Sequence, residues 1–184
     1  MNKFFTFLII LIFPLTSCKK EIENIQNKTL DSNSKTQPQF LTFIFQPSLN
    51  ENAEVNVNFE KKYLTFKTIY PFLQEPPAFG EKKTEKKPPK PYYAELTQNQ
   101  INELTKILVN LNDEDYQQIQ GNYIDGISYN FSILNSDKTF KVGYIANEKT
   151  ENQKKLTTEI LNLVSETNKF EENFSAISYY GMKN

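Results

Sequence analysis

The sequence contains no histidine, and because it also lacks arginine every basic side chain is a lysine. Without histidine there is no imidazole base near neutral pH, no Ser-His or Cys-His catalytic pair and no histidine-ligated zinc site. Without arginine there is no bidentate fork for phosphate or carboxylate groups. Tryptophan is absent too, and the single cysteine excludes an internal disulfide even in an oxidising compartment.

Charge of either sign is not in excess. The chain has 21 basic and 22 acidic residues and a formal net charge of −1, which predicts no attraction to nucleic acid. Its 184 residues suffice for one ordinary domain, and 38% hydrophobic with 14% aromatic residues is typical of a soluble globular protein. We therefore expect one globular domain and no nucleic-acid partner.

The amino terminus has the pattern of an export signal. Lys3 precedes an apolar run over residues 4–13, which is too short to span a bilayer comfortably. The segment Leu15-Thr16-Ser17-Cys18 then resembles the lipobox of bacterial lipoproteins, with a leucine three positions before the cysteine and small residues between them. A plain secretory signal with an incidental cysteine is the alternative.

The lipobox resemblance implies that residues 1–17 are a signal peptide and that Cys18 becomes the acylated amino terminus. Two or three acyl chains, at about 0.8 kcal/mol per buried methylene, would hold the protein on a membrane effectively permanently. Lys19 is not the aspartate that retains some lipoproteins in the inner membrane. The resemblance therefore implies a cell-envelope protein, lipid-anchored in the outer membrane, with the periplasmic or surface face left open.

The mature chain is predicted to have a tether, one domain and one exposed arm. Residues 18–39 are the lipidated cysteine and a polar, flexible tether with a reach of roughly 25 Å. A single domain spans residues 40–184. Within it, residues 71–91 are rich in proline and lysine, which excludes a helix and a central strand and predicts an exposed arm.

Alternating and helical patterns predict the elements of this domain. The run Phe40–Phe45 is typical of a buried strand, and the segments around residues 55–59 and 63–69 of a hairpin. Asp125-Gly126 opens a strand whose apolar side holds Ile127, Tyr129, Phe131 and Ile133, and the return strand alternates at Phe140, Val142 and Tyr144.

Two helices complete the predicted fold. Thr97 with Gln100 forms a capping box before Ile101, Leu104, Leu108 and Leu111, and Thr150 precedes a second helix with Leu156, Ile160, Leu163 and Val164. Residues 170–180 fit a short helix or an edge strand. The fold class is α+β, an antiparallel sheet with two amphipathic helices on one face.

A shift of 53 positions places Thr97 on Thr150 and Gln100 on Gln153. This match suggests a tandem strand-strand-helix repeat. However, Leu104 falls on Thr157, so the apolar faces of the two helices are out of step. Chance similarity between two amphipathic helices is the alternative.

Candidate sites for chemistry are few. The acids of Asp113-Glu114-Asp115 have the oxygen ligands that calcium prefers, but their spacing matches no calcium loop and favours a solvated turn. Paired carboxylates can hydrolyse glycosidic bonds without histidine, although the sequence does not fix their separation. We therefore predict no catalytic residue, no metal and no cofactor.

A contact surface is the most concrete expectation. Paired tyrosines and the lysines of the proline-rich arm are the candidates, namely Tyr92, Tyr93, Tyr179, Tyr180, Lys82, Lys83, Lys86 and Lys87. Tyrosine packs an apolar ring on a partner while its hydroxyl stays hydrated. Tyr129 and Tyr144 lie on the apolar phases of their strands and are assigned to the core.

The strand entered through Asp125-Gly126-Ile127-Ser128-Tyr129, with a helix before and after it, resembles small envelope lipoproteins of the Bacteroidetes type. The leading hypothesis is a non-enzymatic, lipid-anchored protein-binding or scaffold module with a protein partner in the envelope. The alternatives are an immunity or inhibitor protein against a secreted toxin or hydrolase, and a carboxylate-dependent glycan hydrolase.

Overall fold

The computed structural model describes a compact unit that begins at Thr36. The residues described are 36–48, 51–69, 89–117, 126–146 and 149–181. The predicted signal peptide, Cys18 and most of the predicted tether and of the proline-rich arm lie outside them. The unit starts before Phe40, because β1 begins at Pro38 and the backbone N–H of Ser136 donates to the carbonyl of Gln37 at 2.8 Å.

The described residues form six strands, three α-helices and one short 3-10 turn. The strands are β1 (Pro38–Pro47), β2 (Asn52–Asn58), β3 (Tyr63–Ile69), β4 (Tyr92–Glu95), β5 (Ile127–Asn135) and β6 (Phe140–Ile145). The helices are α1 (Gln98–Val109), α2 (Glu151–Thr167) and α3 (Glu171–Gly181), with the 3-10 turn at Asp113–Tyr116. The ambiguous carboxyl-terminal segment is thus a helix, and the helices number three where two were predicted.

All six strands form one antiparallel sheet in the order β4-β3-β2-β1-β5-β6. The predicted α+β class and its antiparallel sheet are confirmed. β1 lies near the middle, where its apolar run predicted a buried strand. Only alternate residues of β1 reach the core, however, and Phe40 is 45% exposed.

The predicted capping box of α1 is present, and α2 has one as well. At α1 and α2 the hydroxyls of Thr97 and Thr150 accept from the backbone N–H of Gln100 and Gln153, whose side chains bond back to the cap N–H. Each helix follows an antiparallel strand pair, β3–β4 for α1 and β5–β6 for α2. The tandem duplication itself stays a prediction.

The helices bury their apolar side chains in the same core as one face of the sheet. On α3, Tyr180 stacks on Phe45 with ring centroids 4.9 Å apart. On α2, the carbonyl of Val164 accepts from the Tyr92 hydroxyl at 2.9 Å. Leu111 lies beyond the end of α1, although its side chain is still buried as its spacing predicted.

Candidate functional site

The sheet has one face in the core and a second face that keeps its side chains partly in solvent. Along β1, Leu41, Phe43 and Phe45 are at most 1% exposed, whereas the residues between them are half-buried. Because successive strand residues point to opposite sides, these alternate positions of all six strands define the second face. We term it the open face.

One end of the open face is apolar. The strand registers place Phe40 beside Leu134, and Leu134 beside Phe140, while Val142 and Tyr144 follow at alternate positions of β6. These five residues form what we term the apolar corner. The exposed fractions are 45% for Phe40, 63% for Phe140 and 57% for Val142. Contiguous apolar side chains left in water typically mark an interaction site.

Phe131 on β5 determines which side chains of β6 reach the open face. Its ring lies over Gly143, the paired residue on β6, and a Cβ atom at Gly143 would stand 2.2 Å from the ring Cζ. The side of β6 that faces the core therefore holds Lys141, which is exposed, and the buried Gly143 and Ile145. Tyr144 must point the other way, so its assignment to the core phase is wrong.

The sequence prediction missed the apolar corner for the same reason. Phe140, Val142 and Tyr144 alternate correctly, and apolar alternation normally indicates the buried side of a strand. The available signal was Gly143, since a glycine in a strand often marks a place where a neighbouring side chain covers the backbone. Phe131 is that neighbour.

The middle of the open face is a chain of polar side chains that bond to one another. Thr42 donates its hydroxyl to Asn56 Oδ1 at 2.7 Å, Asn56 Nδ2 donates to Glu54 Oε1 at 2.7 Å, and Lys67 Nζ lies 2.9 Å from the same oxygen. Partial burial acts to raise the pKa of Glu54, but the bonds from Asn56 and Lys67 outweigh it and leave that pKa lowered. These polar groups are satisfied within the protein.

The structure separates the predicted surface tyrosines. Tyr180 is 1% exposed and its hydroxyl donates to the carbonyl of Glu51 at 2.7 Å, so it is a core residue and not part of a contact surface. Tyr92 is half-buried, with its ring stacked 5.3 Å from that of Phe66. Tyr179 is partly buried against the core.

Tyr93 remains on the open face. It is 59% exposed and packs beside Tyr63 with centroids 5.2 Å apart, at the edge opposite β6. Adjacent tyrosines separate because strand residues alternate between the two faces, which buries Tyr92 and exposes Tyr93. Lys82, Lys83, Lys86 and Lys87, like the lipidation candidate Cys18, lie outside the described residues.

The most buried carboxylate in the described part of the chain, Asp115, ties the 3-10 turn to α2. It accepts hydrogen bonds from the Thr150 hydroxyl at 2.5 Å, the Asn112 backbone N–H at 2.8 Å and Asn152 Nδ2 at 2.9 Å. Burial acts to raise the pKa of Asp115, but these three bonds outweigh it and hold that pKa low. A carboxylate that accepts three hydrogen bonds from its own protein serves structure.

Glu159 on α2 is the acid in the described ranges whose pKa is raised, through partial burial and then through the charges of Glu166 and Glu103. A hydrolase needs two carboxyl groups at a set separation with one of them protonated. Within residues 36–181, leaving out the gaps, no group of three or more acidic or cysteine side chains is placed to hold a metal ion.

Comparison of the chain with models of known protein families, with curated proteins and with solved structures finds no match. In the described portion of the chain, none of the helices combines the length and the apolar character needed to cross a membrane.

Proposed function

We propose that this protein is a lipid-anchored component of the bacterial cell envelope that binds another protein through the open face of its sheet. The anchor would be Cys18, and the outer membrane its location. The observation that carries the binding role is the apolar corner, a cluster of apolar side chains, three of them exposed, on a face whose central polar groups bond to one another.

The lipobox-like segment Leu15-Thr16-Ser17-Cys18 supports the anchor. The position at which the chain joins the domain supports a link between anchor and docking surface. Thr36 Oγ1 donates to Asp137 Oδ2 at 3.1 Å, and the Gln37 backbone N–H donates to Ser136 Oγ at 3.1 Å. The tether would thus end at the β5–β6 hairpin, beside the apolar corner.

Surface chemistry supports a protein partner. Phe140 and Val142 present apolar side chains of the kind that are buried at the centre of an interface. The hydrogen-bonded side chains of Thr42, Asn56 and Glu54 beside them offer polar groups for its rim. Aromatic side chains bring a large apolar area with few rotatable bonds. A partner surface that covers the corner would remove this apolar area from water.

Mass spectrometry of the protein extracted from membranes tests the anchor. The expected product begins at Cys18 and carries acyl chains, and Cys18→Ser should be found in the soluble fraction. A protein that keeps residues 1–17, or an unmodified cysteine, would overturn the anchor.

Photo-crosslinking in intact envelopes tests the docking surface. A benzophenone amino acid in place of Val142 should give one reproducible crosslinked product. The same probe in place of Val109, which is 47% exposed on α1, is the matched control and should give none. Equal crosslinking from both positions would show that the open face is not the docking surface.

A further inference from the structure

The two edges of the sheet differ in how well they are protected from pairing with another strand. β4 has 4 residues, begins directly after Pro91 and ends in Glu95. β6 has 6 residues, contains no proline and exposes Phe140 and Val142. Short length, proline and charge are the usual devices that block an edge strand. β4 has all three, whereas β6 has one of them, the charge of Lys141, which lies on the side away from the open face.

The hydrogen-bond phase of β6 shows which backbone groups face outward. The backbone N–H of Asn135 donates to the carbonyl of Thr139 at 2.9 Å, which makes this the hydrogen-bonded pair at the start of the hairpin. Hydrogen-bonded and non-bonded pairs alternate along an antiparallel ladder. The N–H and C=O groups of Phe140, Val142 and Tyr144 therefore point away from β5.

The outward backbone groups belong to Phe140, Val142 and Tyr144, whose side chains lie on the open face, the first two exposed and Tyr144 half-buried. A strand that pairs with β6 would bond to these residues and place its own side chains beside theirs on the open face. Within the described residues no strand takes that place. Backbone bonds and apolar contacts would thus act together.

Lys141 is the charged side chain of β6, and it indicates the charge of a strand that fits there. It lies on the opposite side of β6 from the apolar corner, is exposed, and its ammonium stands 4.8 Å from the centroid of the Tyr116 ring. Among the described acids none forms an ion pair with it. An acidic residue directly across the new ladder would meet this charge.

We propose that β6 is a strand-addition site for an extended segment of a partner protein in which apolar residues alternate with acidic ones. The apolar residues lie on the open face beside Phe140, Val142 and Tyr144, and an acidic residue lies opposite Lys141. This inference rests on the proposed protein-binding function, and it specifies the partner segment and the mode of binding.

A second copy of this chain fits the same edge less well. If β6 paired antiparallel with another β6 about Val142, the two copies of Lys141 would be diagonal neighbours on the same face of the sheet. Like charges that close across a ladder are destabilising. The charge on β6 therefore favours an acidic strand over a copy of itself.

A synthetic peptide in which valine alternates with glutamate, with both ends blocked, is the probe. The protein is the mature chain from residue 18 with Cys18→Ser, because residues 1–17 lie outside the compact unit that starts at Thr36. Amide hydrogen exchange, followed by nuclear magnetic resonance, should slow at Val142 and Tyr144 when the peptide is added. Protection at β4 instead, or at neither edge, would overturn the proposal.

Backbone methylation distinguishes strand pairing from simple apolar contact. In the expected register the valine amides point at β6 and the glutamate amides point away. Methylated valine amides should weaken binding about tenfold or more, since several backbone bonds are lost, whereas methylated glutamate amides should leave it unchanged. Equal affinity for both peptides would contradict strand addition.

Protein variants test the two sides of the site. Val142→Pro removes an outward N–H that β5 does not use, and should abolish peptide protection, while Tyr93→Ala at the opposite edge should not alter it. Lys141→Glu should weaken binding of the glutamate peptide about two- to fivefold and favour a peptide in which lysine replaces glutamate. If Lys141→Glu binds both peptides equally, the charge assignment fails.

Sedimentation of the protein alone completes the test. A dimer that is lost in Val142→Pro would assign β6 to a second copy and overturn the proposal.

Failure of strand addition can be distinguished from failure of the proposed function. If envelope crosslinking at Val142 finds a partner but methylated valine amides have no effect, strand addition fails while the proposed function stands. An unacylated Cys18 would remove the anchor and leave the peptide result intact.

Discussion

The Thr150 hydroxyl links two structural elements through one oxygen atom. It donates to Asp115 Oδ1 at 2.5 Å and accepts from the backbone N–H of Gln153 at 3.1 Å. The amino-terminal cap of α2 is thereby bonded to the 3-10 turn that follows α1. Gln153 reinforces the link, since its Nε2 donates to the carbonyl of Asp115 at 2.9 Å.

Removal of the Asp115 carboxylate should destabilise the domain. Asp115→Ala leaves the hydroxyl of Thr150 and the N–H of Asn112 without this acceptor and removes one of the two acceptors of the Asn152 amide. Hydrogen bonds to a charged group are worth more than neutral ones. We expect the free energy of unfolding in urea to fall by about 2–3 kcal/mol. Asp113→Ala, at an exposed acid of the same turn, should change it by less than about 0.5 kcal/mol. Equal effects would refute the role of Asp115.

The contribution of Asp115 should depend on pH. Its pKa is lower in the folded protein than in the unfolded chain, so the stabilisation is present above the ordinary carboxyl pKa of about 3.9 and is lost as the pH falls through the lowered folded value. The difference in unfolding free energy between the unmodified protein and Asp115→Asn should be constant above about pH 5 and shrink below pH 4. A difference that does not change with pH would contradict this linkage.

The sequence predicted those features in which the interacting residues are close neighbours along the chain. Thr97 and Gln100 indicated the capping box of α1, because a capping box is contained within four residues. The alternation of Ile127, Tyr129 and Phe131 predicted correctly which side of β5 faces the core. The core-facing side of β6 was predicted wrongly, because it is determined by contact between Gly143 and Phe131 across the ladder, and Gly143 was its only local signal.

The tyrosine pairs show the same limit for the site. The sequence did not distinguish Tyr92 from Tyr93. Tyr92 is half-buried and Tyr93 exposed because one face of β4 packs against α2. Tyr179 and Tyr180 lie on a helix, where the ring of Tyr180 reaches Phe45 and its hydroxyl reaches Glu51. Such contacts join residues far apart in the chain, so local pattern does not reveal them.

Gly143 should tolerate no larger side chain while Phe131 is present. Gly143→Ala places a methyl group 2.2 Å from the ring Cζ, so the ring must move, and we expect a loss of about 1–3 kcal/mol in unfolding free energy. Gly181→Ala is the matched control, because nothing lies within 4 Å of a Cβ there. Phe131→Leu in the Gly143→Ala background should be less costly than in the unmodified protein. If the losses of unfolding free energy from Gly143→Ala and Phe131→Leu simply add in the double variant, the Phe131 ring does not contact position 143 as described.

Buried tyrosines should make the domain sensitive to alkali. Burial raises the pKa of Tyr129 to about 12, and it raises the pKa of Tyr180 further, with the charge of Glu51 as a second cause. Tyrosines of the unfolded chain ionise near pH 10, so the unfolded state loses its protons first and stability should fall as the pH rises above about 10.

A titration of phenolate absorbance should therefore contain a fraction that appears only at high pH, together with the loss of circular dichroism. In urea this fraction should shift to about pH 10. Tyr129→Phe should reduce both the late fraction and the dependence of stability on pH. If every tyrosine ionised below pH 11 while the circular dichroism stayed unchanged, the hydroxyls of Tyr129 and Tyr180 would not be buried as described.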